Sequence, residues 1–260
     1  MTFKLSEPGN TRANPKRFTN VAKVALGKPA DYGQELVKRR FRMTSALVSL
    51  QGKTVLDFGC GNGAQTIEFC RSGGDIIAVD LFDSSLKVFA SHLAERGVSS
   101  TLPVQYDGGA LPVGSGSMDI VMSYDVLEHV HDESLALTEM HRVLKPGGEL
   151  VMSVPNKGWV FETHGAYLPL LPWNRVPFFS WLPRAIHSRY AKARIYRRKE
   201  IVRLLESHSF EVLGSQYMMA PMDVVRIPWL KRALRRLVFG RDTTRWTFLS
   251  TVVLVHARKA

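Results

Sequence analysis

The chain has 260 residues, 45% hydrophobic and 22% charged, with 35 Lys and Arg against 23 Asp and Glu. That length supports one large globular domain or two small ones, with enough buried surface to need no covalent staples. Two cysteines, Cys60 and Cys70, make no disulfide framework and point to a reducing compartment, or at least to a fold that does not depend on oxidation. No window of 18 apolar residues exists to span a membrane, and the opening residues lack the apolar stretch of a signal peptide.

The net charge of +12 is unevenly placed: residues 184–245 hold 15 basic and 5 acidic residues, and the rest of the chain is nearly neutral. Such a region favours an anionic partner, whether nucleic acid, a phosphate-bearing substrate or an anionic lipid surface; otherwise it is a solubilising face.

Residues 31–50 read as amphipathic helix ending near Gly52, within which KRRFR (38–42) is expected to be a solvated face. An alternation of short apolar runs and helical spacing then begins. Strands are expected at 54–58, 75–80, 102–106, 118–123 and 149–154, and helices at 64–72, 83–96 and 132–144. Pro103 puts its strand on a sheet edge. Apolar strands alternating with helices predict a parallel sheet covered on both faces.

After Asn156 the regularity breaks. Residues 157–198 carry Trp159, Phe161, Trp173, Phe178, Phe179 and Trp181 among Pro169, Pro172, Pro177 and Pro183. An irregular stretch of this length in a compact domain is commonly a lid or binding loop. A helix at 199–208 and a strand from Phe210 follow, then a second excursion over about 221–246 and a closing strand at 248–257. Within the excursion, 227–239 (IPWLKRALRRLVF) is a basic amphipathic helix. Leu230, Ala233, Leu234, Leu237 and Val238 share one face, and Lys231, Arg232, Arg235 and Arg236 the other. It fits either a membrane surface or docking onto the body. The domain expectation is 1–52 as leader and helices packing on the core, and 53–260 as one domain with insertions at 157–198 and 221–246.

The chemistry is concentrated in VLDFGCGNG (55–63), which ends a strand and opens a helix. Gly59, Gly61 and Gly63 allow a tight turn and close approach to a ligand, and the helix start offers unpaired N–H groups. With Ala64 and Asp80 it also satisfies the dinucleotide fingerprint, so a nicotinamide oxidoreductase is a live alternative. Asp57 opposes it: a carboxylate two residues before the first glycine repels a pyrophosphate but attracts a cationic ligand such as S-adenosylmethionine (SAM).

VLDFGCGNG, IIAVD (76–80), YDGGALP (106–112), MDIVMSYDVLEHV (118–130) and RVLKPGGELVMSVPN (142–156) together resemble the successive motifs of class I SAM-dependent methyltransferases. The subgroup is similar to the ubiquinone/menaquinone-biosynthesis type (methyltransferase type 11). The resemblance implies a Rossmann-like α/β fold with a seven-stranded, doubly wound sheet in the order 3-2-1-4-5-7-6, the last strand antiparallel. It implies SAM contacts from Asp57, Gly59, Cys60, Gly61 and Gly63 to the methionine and ribose, and from Asp80 to the ribose hydroxyls. Leu81 would lie against adenine, Asp107 and Gly108 would hold the adenine edge, and Ser123 would face the methionine end. Cys60 serves as a small turn residue, with no catalytic thiol and no metal expected.

Methyl transfer needs alignment and exclusion of water, and a hydroxyl acceptor also benefits from a base. Candidates are Glu128, His129, Glu162 and His164, with His129 and His164 put forward as catalytic. The expected activity is methylation of a hydroxyl (or carbon) of a hydrophobic, lipid-linked or phosphate-bearing small molecule. The expected setting is the cytoplasm, with 227–239 either meeting an anionic inner membrane face or docking onto the body. An RNA methyltransferase, for which no appended RNA-binding module is visible, and a non-catalytic SAM-binding protein remain open alternatives.

Overall fold

The computed structural model describes residues 34–164 and 176–260. The expected leader and the middle of the aromatic insertion, with Pro169, Pro172 and Trp173, fall outside them. Eight strands form one sheet: β1 (Thr54–Phe58), β2 (Asp75–Asp80), β3 (Thr101–Gln105), β4 (Met118–Tyr124), β5 (Leu144–Pro155), β6 (Phe210–Met219), β7 (Thr243–Thr244) and β8 (Ser250–Lys259). Their order is β3-β2-β1-β4-β5-β8-β6-β7. The first five are parallel, and β8 runs antiparallel between β5 and β6. This is the expected doubly wound order plus one strand, since the two-residue β7 pairs with the outer edge of β6. Two residues carry no periodicity from which a strand could be read.

Alternation along each strand divides the core between the sheet faces. Leu56, Phe58, Ile77, Val79 and Val121 pack with Leu137, Met140 and Val143 of α4 (Glu133–Val143). Val55, Ile76, Ile120 and Met122 pack with Phe69 of α2 (Ala64–Phe69) and Met43 of α1 (Gln34–Ser45). A third group joins Ala78 to Leu86, Phe89 and Leu93 of α3 (Asp83–Arg96). Pro103 pairs with Ala78 on edge strand β3, where its missing N–H costs nothing.

One expectation is overturned. KRRFR is not a solvated helix face, because Arg39 and Arg40 are both buried. Arg39 donates from Nη1 to the carbonyls of Met219 and Ala220, and from Nη2 to that of Phe239, so its guanidinium satisfies backbone acceptors at the end of β6 and after the basic helix. Arg40 forms an ion pair with Asp125, and Arg42 one with Asp242. Helix α1 is pinned to the sheet by its cations, a use that periodicity does not reveal.

β1, β4 and β5 end along one edge of the sheet. The antiparallel register sets Pro155 opposite Val252 and Ser250 opposite Met219, so β8 starts and β6 ends at that edge too. Both late excursions therefore leave the sheet where the parallel strands terminate. Asn156 ties them together: its Nδ2 donates to the carbonyls of Thr247 (2.7 Å) and Ser250 (2.9 Å), and its Oδ1 accepts from the Gly158 N–H (3.0 Å). Trp159 from the first excursion packs on the same cluster of Met219, Ala220 and Phe239 as Leu234 of the second.

Helices α5 (Arg184–Tyr190) and α6 (Arg198–Glu206) precede the basic helix α7 (Pro228–Leu237), none of whose residues is fully buried. The expected division of its faces needs correcting. Arg235 turns inward to the Pro221 carbonyl and Asp223, while Leu237 is 81% exposed and Trp229 66% exposed.

Candidate active site

In an open parallel sheet, ligands bind beyond the carboxyl ends of the strands where the strand order reverses. Here that point lies at β1, flanked by β2 and β4. The loop after β1 folds back at once, with the N–H groups of Gly59 and Cys60 both donating to the Val79 carbonyl (2.8 and 3.0 Å). Gly59 and Gly63 both have φ of 77°, and a Cβ on either would overlap Val126 or the Phe89 ring. Left-handed backbone pressed against neighbouring side chains admits only glycine.

Asp80, at the end of β2, is 8% exposed. Its Oδ2 accepts from the Gly61 N–H (2.8 Å) and its Oδ1 from the Phe82 N–H (2.9 Å). The carboxylate is thus fixed beside the glycine loop with one lone pair on each oxygen still available. Asp57 is buried and accepts from the Thr66 hydroxyl (2.6 Å). Burial, reinforced by the charge of Asp80 and opposed by the Thr66 bond, raises its pKa to about 6. Burial, together with Asp57 and Asp80, also drives the Cys60 thiol far up, so no thiolate is available for nucleophilic chemistry.

Leu81 is half-buried beside Asp80, and its carbonyl accepts from Gln105 Nε2 (3.1 Å). Asp107 is exposed and accepts from the Gly109 N–H (2.9 Å), with Gly108 at φ 85° between them. Ser123, near the end of β4, is fully buried, and its Oγ has no hydrogen-bond partner among the described residues. A buried hydroxyl left unsatisfied costs stability and marks a place where a ligand can supply the bond. The glycine cradle, a fixed carboxylate on β2, a buried acid on β1 and this hydroxyl fit SAM, which brings ribose hydroxyls, an ammonium and a sulfonium.

The loop after β4 carries a second constellation. Glu128 is fully buried, and neither carboxylate oxygen makes a hydrogen bond among the described residues. Nε2 of His164, from the aromatic insertion, lies 3.4 Å from its Oε1. The rings of His129 and His164 meet edge to face with centroids 4.8 Å apart. Burial first, then the charge of Asp125, holds the Glu128 carboxyl well above the usual range. One donor atom from each of Glu128, His129 and His164 lies within 4.8 Å of the others, so the trio could take a proton from an acceptor or hold a metal ion.

The structure thus brings His129 and His164 together from segments that the sequence left separate. It removes Glu162 from the candidate bases, because Glu162 is paired with His187 inside the insertion (2.7 Å). Capping of α4 falls to Asp132, whose side chain accepts from the Ser134 and Leu135 N–H groups. Sequence reasoning missed Arg40, Asp125 and Asn156. The positive φ of Asp125 (55°) has no sequence signal, and its partners Arg40 and Ser153 lie 85 and 28 residues away.

The family model described as "Methyltransferase domain" matches residues 56–152. Among curated relatives, the ubiquinone biosynthesis O-methyltransferase of Pseudomonas paraeruginosa is 34% identical over 131 residues, covering 47% of this chain and 55% of that protein. The protein of the same name from Bordetella avium is 37% identical over 135 residues, covering 48% and 54%. The chain thus spans about half the length of the curated relatives it matches.

Solved structures extend the likeness of fold. A SAM-dependent methyltransferase from Mesorhizobium loti superposes with a TM-score of 0.57 at 17% identity, over 85% of this chain and 97% of that one. One from Aquifex aeolicus gives 0.57 at 14% identity, over 87% and 98%. Residues 56–152 thus match a methyltransferase domain, the described fold is that of SAM-dependent methyltransferases, and over about half its length the chain is similar to ubiquinone-biosynthesis O-methyltransferases.

Proposed function

We propose that the protein methylates a hydroxyl of a hydrophobic, lipid-linked or phosphate-bearing small molecule at an anionic membrane surface. In this reading Asp57, Gly59, Cys60, Gly61 and Gly63 line the methionine and ribose of SAM, and Asp80 takes the ribose hydroxyls. Leu81, Asp107 and Gly108 flank adenine, and Ser123 meets the methionine end. Bound there, SAM supplies an electrophilic methyl group on a sulfonium. The protein aligns the acceptor and excludes water, with Glu128, His129 and His164 receiving the hydroxyl proton. The relatives are named as O-methyltransferases, which favours oxygen over carbon as the acceptor.

The observation that carries the membrane part is the outer face of the second excursion. Val224, Ile227, Trp229, Leu237, Val238, Trp246 and Phe248 are exposed. Arg226, Lys231, Arg232, Arg236, Arg241 and Arg245 intersperse them, and none makes an ion pair among the described residues. Apolar side chains ringed by unpaired cations are what an anionic bilayer surface attracts. This face also leaves the sheet at the same edge as the glycine loop, which would set the acceptor pocket next to the lipid. No helix among the described residues is long and apolar enough to cross a membrane.

Flotation with phosphatidylglycerol and with phosphatidylcholine vesicles tests the reading, combined with methyl transfer to a lipid-linked phenol presented in each. Binding and turnover confined to the anionic vesicles support it. Turnover on a soluble acceptor with no vesicle binding overturns it.

A further inference from the structure

A cavity of about 940 Å³, to whose lining the glycine loop contributes no residue, lies between α6 (Arg198–Glu206), strand β6 and the first excursion. Its volume is within the range of small-molecule sites. Lys157, Arg197, Arg198, Lys199 and Arg203 line it, against a single lining carboxylate, Glu206. None of these five cations makes an ion pair among the described residues, although carboxylates elsewhere on the surface are paired with other arginines. Like charges gathered around a concave space repel one another unless an anion enters.

The cations are held rather than loose. Arg198 donates from Nε to the Ser215 hydroxyl (2.8 Å), and its guanidinium lies over the Tyr217 ring (5.7 Å), leaving both terminal amino groups unspent. Lys157 donates to the carbonyls of Ser180 (3.0 Å) and Leu182 (2.9 Å), which fixes its ammonium at the rim with one proton to give. Burial first, and then the charge of Arg197, pulls the Lys157 pKa down.

The remaining lining adds an apolar wall. Trp181 is 50% exposed and donates its Nε1–H to the Gly158 carbonyl (3.1 Å), so its ring is fixed in the cavity lining. Gly214 lines β6 just beyond a register shift and would leave a Cβ in open space, which keeps that wall clear. Glu200, the other acid on α6, does not line the cavity and is occupied by the Arg197 N–H (2.9 Å) and by Arg184.

We infer that this cavity is an anion subsite that binds the phosphate or diphosphate of a small molecule, with the apolar part of the ligand against Trp181. Guanidinium groups bind phosphate oxygens in pairs, and Arg197, Arg198 and Arg203 present three of them around one space. The cavity includes Asn156, which directly follows β5, so an occupant lies one strand from the Glu128 loop that follows β4. This deepens the acceptor proposed above, on which it rests only for the identity of the ligand.

The test is calorimetric titration of the full chain with inorganic pyrophosphate, for the wild type and for Arg197→Ala and Arg198→Ala. SAM titration serves as the control for folding. A saturable pyrophosphate signal that each variant weakens by about tenfold or more, with SAM binding unchanged, is expected. No signal with the wild type, or a signal that both variants retain, overturns the proposal. So does binding of phosphatidylglycerol vesicles or single-stranded RNA that the two substitutions abolish while pyrophosphate fails to compete. A missing SAM signal would count against the methyltransferase reading instead, so the two failures are distinguishable.

Discussion

Arg40 of α1 forms an ion pair with Asp125, whose backbone sits at φ 55° at the start of the loop that carries Glu128 and His129. Asp125 also accepts from the Ser153 hydroxyl (2.9 Å), so one carboxylate joins the first described helix, the end of β4 and β5. A change in α1 is therefore transmitted to the candidate base.

Removing one partner of a largely buried ion pair leaves the other charge uncompensated. Arg40 is 6% exposed, and Arg40→Ala is expected to destabilise the protein by about 3 kcal/mol. Urea denaturation reads this directly. A loss within about 0.5 kcal/mol, the range of ordinary surface changes, would show that the pair does not hold α1 in place.

The pH dependence of Asp57 follows from its pKa of about 6, raised chiefly by burial from an ordinary value of 3.8. A raised acid is favoured protonated in the folded state. Its stabilising contribution is complete below the unfolded value and is lost as pH rises through about 6. Asp57→Asn keeps an acceptor for Thr66 and removes the titration. In cofactor-free protein its advantage over the wild type should grow from about pH 4 to about pH 7 and level off near about 3 kcal/mol. Denaturation at a series of pH values checks this, and a difference independent of pH contradicts it.

Glu128 separates stability from activity. Its carboxylate is buried without hydrogen bonds among the described residues, so Glu128→Gln should cost little stability while lowering kcat by about 10²-fold or more. His164→Ala should shift the acid limb of the kcat–pH profile, because it removes the ring 3.4 Å from that carboxylate. Wild-type kcat in both variants would exclude the trio from proton transfer.

The exposed face of α7 gives the opposite pattern. Trp229→Ala with Leu237→Ala should leave the melting temperature unchanged, since neither side chain is buried. It should weaken binding to phosphatidylglycerol vesicles in flotation. A large drop in melting temperature would mean that these side chains pack in solution.

The sheet was legible because its signals are local. DIIAVD and MDIVMSY are apolar runs at strand length, Gly97 stops α3 in the left-handed conformation, and Pro103 marks the edge. The glycine loop and Asp80 were legible for the same reason, as a strand, a turn and an acid at fixed spacing. What escaped was pairing over distance. Arg39 reaches carbonyls 180 to 200 residues away, and Glu162 meets His187 from 25 residues away. A cation on an amphipathic helix has the same pattern whether it faces water or a distant carbonyl, so KRRFR read as solvated. The meeting of His164 with Glu128 depends on how the insertion folds back, which no periodicity encodes.

The most direct measurement is calorimetric titration with SAM and S-adenosylhomocysteine, for the wild type, Asp80→Ala and Asp80→Asn. Asp80 is fixed by the Gly61 and Phe82 N–H groups, and the proposed placement of SAM gives it the two ribose hydroxyls. Saturable binding by the wild type is expected, weakened by about tenfold or more in Asp80→Ala and less in Asp80→Asn, which keeps one acceptor. No heat from the wild type with either ligand, or equal affinity in all three proteins, would contradict the placement of the cofactor in this crevice.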